Sequence, residues 1–147
     1  MATLLIALAA LTVSAGADLL HHPSPDPALA DYPFSESVEA GGFLYLSGMI
    51  GTVPGEAGLA EGGMAAEARQ TMDNIGAALD RRGLGFGDVV KCTVFLDDMA
   101  EWPAFNEVYA SYFEAGAYPA RSALGADALA LEAAVEVECI AWAGGQD

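Results

Sequence analysis

Arg121 is the residue best equipped for chemistry in this chain. It stands in the run Tyr118-Pro119-Ala120-Arg121-Ser122 and is one of only five Lys/Arg residues, against 21 Asp/Glu. Glu136 follows 15 residues later, in Val135-Glu136-Val137-Glu138-Cys139-Ile140-Ala141, a strand-like segment with two carboxylates. A planar, permanently charged guanidinium grips a small carboxylate bidentately. A glutamate beside it can position a water or move a proton. The pair therefore points to small-molecule chemistry on an organic acid. The competing reading of Arg121 is a structural ion pair with Glu136 or Glu138.

Charge narrows the partners. The formal net charge is −16, so no basic surface exists to neutralise a phosphate backbone or an anionic membrane. Such a surface also repels anions at long range, so an anion site here has to be local and concave. Of the other reactive side chains, Lys91 has no partner motif and reads as structural or rim-exposed. His21 and His22 are the only histidines and sit among prolines, which favours solvent-exposed linker residues over metal ligands. Asp97 and Asp98 read as a turn and a helix cap. Gly83-Leu84-Gly85-Phe86-Gly87 follows a helix and lacks the strand–loop–helix setting of a phosphate cradle. No metal site is expected. Cys92 and Cys139 are too few for a disulfide framework or a zinc site. Each lies in an apolar run, where a buried free thiol is the ordinary reading and a bridge between adjacent strands the geometrically demanding alternative.

The elements that must carry these residues follow from periodicity. With 147 residues and 54% hydrophobic content, the chain supports one domain with one core. Residues 35–40 and 43–50 read as two strands turned at Gly41-Gly42. Met64, Ala68, Met72, Ile75 and Leu79 make one apolar stripe of a helix over 64–82, stopped at Gly83. Val89–Leu96 is a β-branched strand. Asp98 with Glu101 caps a second helix bearing Trp102, Phe105, Val108, Tyr109, Tyr112 and Phe113 and closing at Gly116. The Arg121 segment is a short strand or extended loop, and residues 135–143 are the last strand. This order predicts an α+β domain, a mixed sheet with two helices on one face. The other face is left bare and calls for a closed homo-oligomer, whose interfaces would hold the pockets.

The first 17 residues read as a signal peptide: an apolar run from Leu4 to Val13, then Ala15-x-Ala17, although no Lys or Arg precedes the run. A periplasmic or secreted location follows, with no membrane attachment of the mature form; the alternative is an apolar N-terminal helix in a cytoplasmic protein. Residues 18–32 read as an extended linker, and 33–144 as the single domain.

Several segments resemble one family in order and spacing. They are Pro33-Phe34-Ser35-Glu36-Ser37-Val38, Tyr45-Leu46-Ser47-Gly48-Met49-Ile50-Gly51, Val89–Leu96, Phe105-Asn106-Glu107-Val108-Tyr109, Tyr118–Ser122 and Val135–Ala141. Together they look like the RidA (YjgF/YER057c/UK114) family over residues 32–143. The resemblance implies a chorismate-mutase-like fold and a homotrimer with three clefts between subunits. It also implies hydrolysis of enamine or imine intermediates, such as 2-aminoacrylate, to 2-oxo acids and ammonia without metal or organic cofactor. On that resemblance Arg121 holds the substrate carboxylate and Glu136 positions the water. Ser47, Gly48 and Asn106 line the pocket. Phe34 falls where many members carry a tyrosine, Ala123 where many carry a cysteine that acts through its backbone, and Met49 where glutamine is common. The alternatives are a trimeric small-carboxylate-binding or chaperone-like protein without turnover, and hydrolysis of a different C=N substrate.

Overall fold

The computed structural model describes residues 19–56 and 58–144; the expected signal peptide lies outside them. Gly41 and Gly42 both take positive φ (58° and 82°), as a two-residue hairpin turn of the primed type requires. They join β2 (Ser37–Ala40) to β3 (Phe43–Leu46) in antiparallel register. The expected single strand over 43–50 is broken after Leu46. Ser47 turns away from the ladder: its N–H donates to the Glu36 carbonyl and its hydroxyl to the Ser35 carbonyl, at 3.0 and 2.7 Å. The chain rejoins the sheet as β4 (Met49–Ile50), which pairs with β7.

Part of the expected linker is a strand. Leu20–His22 forms β1 and pairs antiparallel with β2 at the sheet edge. His22 is accordingly half-buried and not a free linker residue; its Nε2 lies 3.9 Å from a Glu39 oxygen. An apolar-poor, proline-flanked triplet gives no strand signal by itself, and it is the waiting edge of β2 that orders it.

Helix α1 (Met64–Asp80) buries the expected stripe of Met64, Ala68, Met72, Ile75 and Leu79. It ends at the Arg81 cap, and the Leu84 N–H closes back on the Leu79 carbonyl at 3.1 Å. Strand β5 (Val89–Leu96) follows, then a 3-10 turn capped by Asp98, whose Oδ1 accepts from the Ala100 N–H at 2.8 Å. Helix α2 (Trp102–Ala110) is shorter than its apolar pattern. From Ser111 to Phe113 each N–H reaches the carbonyl three residues back, so the last turn tightens out of α geometry. Strand β6 (Ala120–Gly125) carries Arg121, and β7 (Val135–Trp142) carries Glu136.

The sheet order is β1-β2-β3-β7-β5-β6, with β4 pairing β7 beside this path. Only β6 runs parallel to its neighbour; the other pairs are antiparallel. Val135, Val137, Cys139 and Ala141 of β7 and Cys92, Val94 and Leu96 of β5 form one buried layer with both helices. The expected α+β class with two helices on one sheet face holds.

The cysteine expectation is corrected as well. Cys92 and Cys139 are not free thiols but a disulfide, with Cα atoms 4.1 Å apart. The β5–β7 register sets them directly opposite on the inner face, where the two short side chains meet. Alternation along each strand places both cysteines inside, but only the register makes them partners.

Among the described residues, no helix covers the outer sheet face. Tyr45, Leu124 and Trp142 are 44%, 44% and 45% exposed there, and Phe43 packs edge-on to Trp142 at 4.8 Å.

Candidate active site

Two clusters gather all the candidate residues, and they lie apart. The first forms where β6 passes beneath α2. Arg121 sits in register with Cys92, whose side chain faces inward, so the guanidinium rises on the helix side of the sheet. There it lies 4.5 Å from the centroid of the Trp102 ring and 4.6 Å from that of Tyr109. Aromatic faces attract a cation and hold a guanidinium plane flat, leaving its N–H edge free to bind. Among the described residues no carboxylate pairs with Arg121: the ion pairs are Arg81 with Glu36 and His22 with Glu39. Among the described residues, the ion pair of Arg121 with Glu136 or Glu138 does not form within the chain. Asn106 lies between Trp102 and Tyr109 on the same helical stripe, and Ala123, two residues beyond Arg121, shares its strand face.

The aromatic shelf is the feature that sequence reading missed. Trp102 and Tyr109 register there only as part of an apolar helix face. The available signal was their spacing of seven around Asn106, which puts all three side chains on one line. Tyr109 is only 3% exposed, and its hydroxyl has no partner among the described residues. Burial pushes the phenol up to about 12, while the Arg121 charge pulls the other way. The ring is therefore a neutral support.

The second cluster forms at the break between β3 and β4. Glu136 of β7 lies in register with Ile50 and Phe95, on the outer face. Its carboxylate rests directly on Gly48: a Cβ built there would fall 1.9 Å from Oε1. Gly48 is thus a glycine because a carboxylate occupies the place of its side chain. Partial burial raises the Glu136 pKa, and the negative charge of Glu138 on the same face raises it further. Ser47 ties this corner to the Ser35 carbonyl, next to Phe34. Phe34 is exposed and stacks no closer than 6.1 Å, against Tyr32. The bidentate Glu36–Arg81 pair pins the same segment to the end of α1.

Arg121 and Glu136 do not meet within one chain. They sit on strands separated by β5, three register steps apart, and they project from opposite faces of the sheet. The chain therefore places its candidate cation and its candidate carboxylate in two separate clusters. Neither cluster uses Lys91, whose Nζ lies 3.4 Å from Ser122 Oγ. Among the described residues no cluster of His, Cys, Asp or Glu suits a metal.

Residues 25–143 match the model of the family described as Endoribonuclease L-PSP. The mouse protein named 2-iminobutanoate/2-iminopropanoate deaminase is 40% identical over 112 residues, covering 76% of this chain and 82% of the mouse protein. The Arabidopsis thaliana protein named Reactive Intermediate Deaminase A, chloroplastic, is 36% identical over 134 residues, covering 90% of this chain and 71% of the relative. The crystal structure of RidA from an Antarctic Psychrobacter bacterium superposes with a TM-score of 0.72 at 34% identity, covering 83% of this chain and 94% of that one. The sheet, the two helices and the matched length agree, and the chain belongs to the Endoribonuclease L-PSP family, the YjgF/RidA family.

Proposed function

We propose that this protein hydrolyses small enamine or imine acids, of the 2-aminoacrylate kind, to 2-oxo acids and ammonia. The observation that carries the reading is Arg121: a guanidinium without a carboxylate partner among the described residues, held against two aromatic rings in a strongly acidic protein. The names of the mouse and Arabidopsis relatives support the reaction class. Because Arg121 and Glu136 face opposite ways in one chain, a working site takes Arg121, Asn106 and Ala123 from one protomer. Phe34, Ser47, Gly48 and Glu136 come from a neighbour. A homotrimer closed through the exposed sheet face supplies that arrangement three times.

The reaction asks little of such a site. Arg121 binds the carboxylate of the substrate and so fixes the imine carbon. An enamine first gains a proton at its terminal carbon and loses one from nitrogen to become the imine. A water held by Glu136 then forms the new C–O bond at the imine carbon. After the water adds, its two protons pass in turn through the Glu136 carboxyl to the nitrogen, the C–N bond breaks, ammonia leaves and the carbonyl forms. Atoms and charge balance without a metal or redox cofactor. A glutamate whose pKa lies above its usual range is suited to carry that proton. Orientation alone supplies much of the acceleration, since an imine carbon is already electrophilic.

RNA cleavage, which the family description names, fits the net charge of −16 poorly. Phe34 favours one second reading: it offers an apolar wall and no hydroxyl, as in a protein that binds a small carboxylate without turning it over. The test generates 2-aminoacrylate in situ and follows pyruvate. Wild type is expected to exceed buffer and Arg121→Ala to match it; wild type at the buffer rate ends the deaminase reading. Sedimentation tests the trimer, which a clean monomer contradicts.

We also infer export. The apolar run ending in Ala15-x-Ala17 and the Cys92–Cys139 disulfide both fit an oxidising compartment. Among the described residues no helix is long and apolar enough to cross a membrane. Mass spectrometry of the native product decides this point, and an intact Met1 counts against it.

A further inference from the structure

We propose that the Cys92–Cys139 disulfide is a positioning element for Arg121, so that carboxylate binding depends on the oxidation state of the sheet. The ligand class rests on the function proposed above; the geometry does not. Cys139, Cys92 and Arg121 are Cα partners across three consecutive strands, β7, β5 and β6. One row of the sheet therefore runs from the crosslink to the guanidinium, with all three side chains on the helix side.

Strand β6 has little else to hold it. Among the described residues it pairs only with β5, and all six of its residues are exposed. Its place follows that of β5. The Tyr109 ring of the shelf is held by packing, since its hydroxyl has no partner among the described residues, while Tyr112, just beyond α2, bonds to Asp73 Oδ1 of α1 at 2.6 Å. Both cysteines are 1% exposed in a filled core. Breaking the bond moves the two sulfurs from bonding to van der Waals separation, and a close-packed interior has no slack to absorb that movement. The strand least restrained on that row is the edge strand carrying Arg121.

The chemistry is a thiol–disulfide exchange with a dithiol. One thiolate attacks a cysteine sulfur and forms a mixed disulfide. That attack releases the other cysteine as a thiolate. The second thiol of the reagent then closes on the first sulfur and releases the attacked cysteine. Two electrons and two protons pass to the protein, and the dithiol leaves as a cyclic disulfide. With both sulfurs shut from solvent, exchange proceeds through transient opening of the sheet.

The test compares the full-length protein oxidised, reduced with dithiothreitol, and reoxidised. It uses backbone amide exchange read by mass spectrometry together with KM and kcat for in situ 2-aminoacrylate. On reduction, exchange across residues 120–125 should rise while that of α1 stays level. KM should rise about tenfold with little change in kcat, and reoxidation should restore both. Unchanged exchange in β6, or an unchanged KM, overturns the proposal. If the oxidised protein shows no turnover, the deaminase reading fails on its own and the exchange measurement still judges the crosslink. If reduction unfolds the protein, the Cys92→Val/Cys139→Ala variant takes the place of the reduced form. Unfolding of that variant as well would make the bond a staple of the fold and overturn a positioning role.

Discussion

Gly48→Ala separates the proposed chemistry from stability. Gly48 is not among the glycines with positive φ, so the backbone accepts alanine there. The new methyl carbon would fall 1.9 Å from Glu136 Oε1 and 2.9 Å from Cδ, where real contacts stay beyond 3.0 Å. The carboxylate has to retreat by more than an ångström. It is the free end of a flexible side chain on the outer face, so the retreat costs little folding energy. Alanine in place of glycine also restricts the unfolded chain, worth about 0.4–1 kcal/mol in the opposite direction. Stability by urea denaturation is expected to change by less than about 1 kcal/mol. Catalysis is another matter. A misplacement of about 1 Å at a group that orients a reactant costs on the order of 100-fold, or about 2.7 kcal/mol in the barrier. Pyruvate formation from in situ 2-aminoacrylate should fall by that factor in kcat. Glu136→Gln should fall at least as far, and the double variant no further than Glu136→Gln alone, because both changes act on one carboxylate. Wild-type kcat in folded Gly48→Ala would refute the role given to Glu136 where the structure places it. A large loss of stability would refute the argument that the carboxylate yields.

Glu138→Gln removes a negative charge that raises the Glu136 pKa, so the acidic limb of the kcat–pH profile should move to lower pH; a shift upward or none at all would contradict the electrostatic coupling. Arg121→Lys keeps the charge but loses the planar fork lying on Trp102 and Tyr109. KM should rise about tenfold, the worth of one charge-assisted hydrogen bond, measured in the same pyruvate assay. The Cys92–Cys139 bond closes a loop of sequence separation 47, which the chain-entropy treatment values at about 4 kcal/mol. Denaturant midpoints with and without dithiothreitol should differ accordingly, and coincident curves would mean that the bond is absent in solution.

Much of this molecule is legible in its sequence. The apolar stripe from Met64 to Leu79, the β-branched run at Val89–Leu96 and the Gly41-Gly42 turn each report a local periodicity or a local backbone demand. Those are properties of neighbours along the chain, and sequence carries them directly. The family also shows there, because Tyr118–Ser122 and Val135–Ala141 are contiguous. Phe43–Ile50, α2 and the segment before Pro33 are less legible. The break at Ser47-Gly48 depends on bonds to Ser35 and Glu36 and on a carboxylate from β7. The edge strand at Leu20–His22 exists because β2 offers it a ladder.

The tertiary structure decided three things that no spacing could. It made Cys92 and Cys139 partners, laid Arg121 on Trp102 and Tyr109, and turned Arg121 and Glu136 to opposite faces of the sheet. Alternation along a strand tells which residues share a face within that strand. Which strand lies beside which, and in what register, is set by pairings between distant segments, and those pairings alone determine which side chains meet.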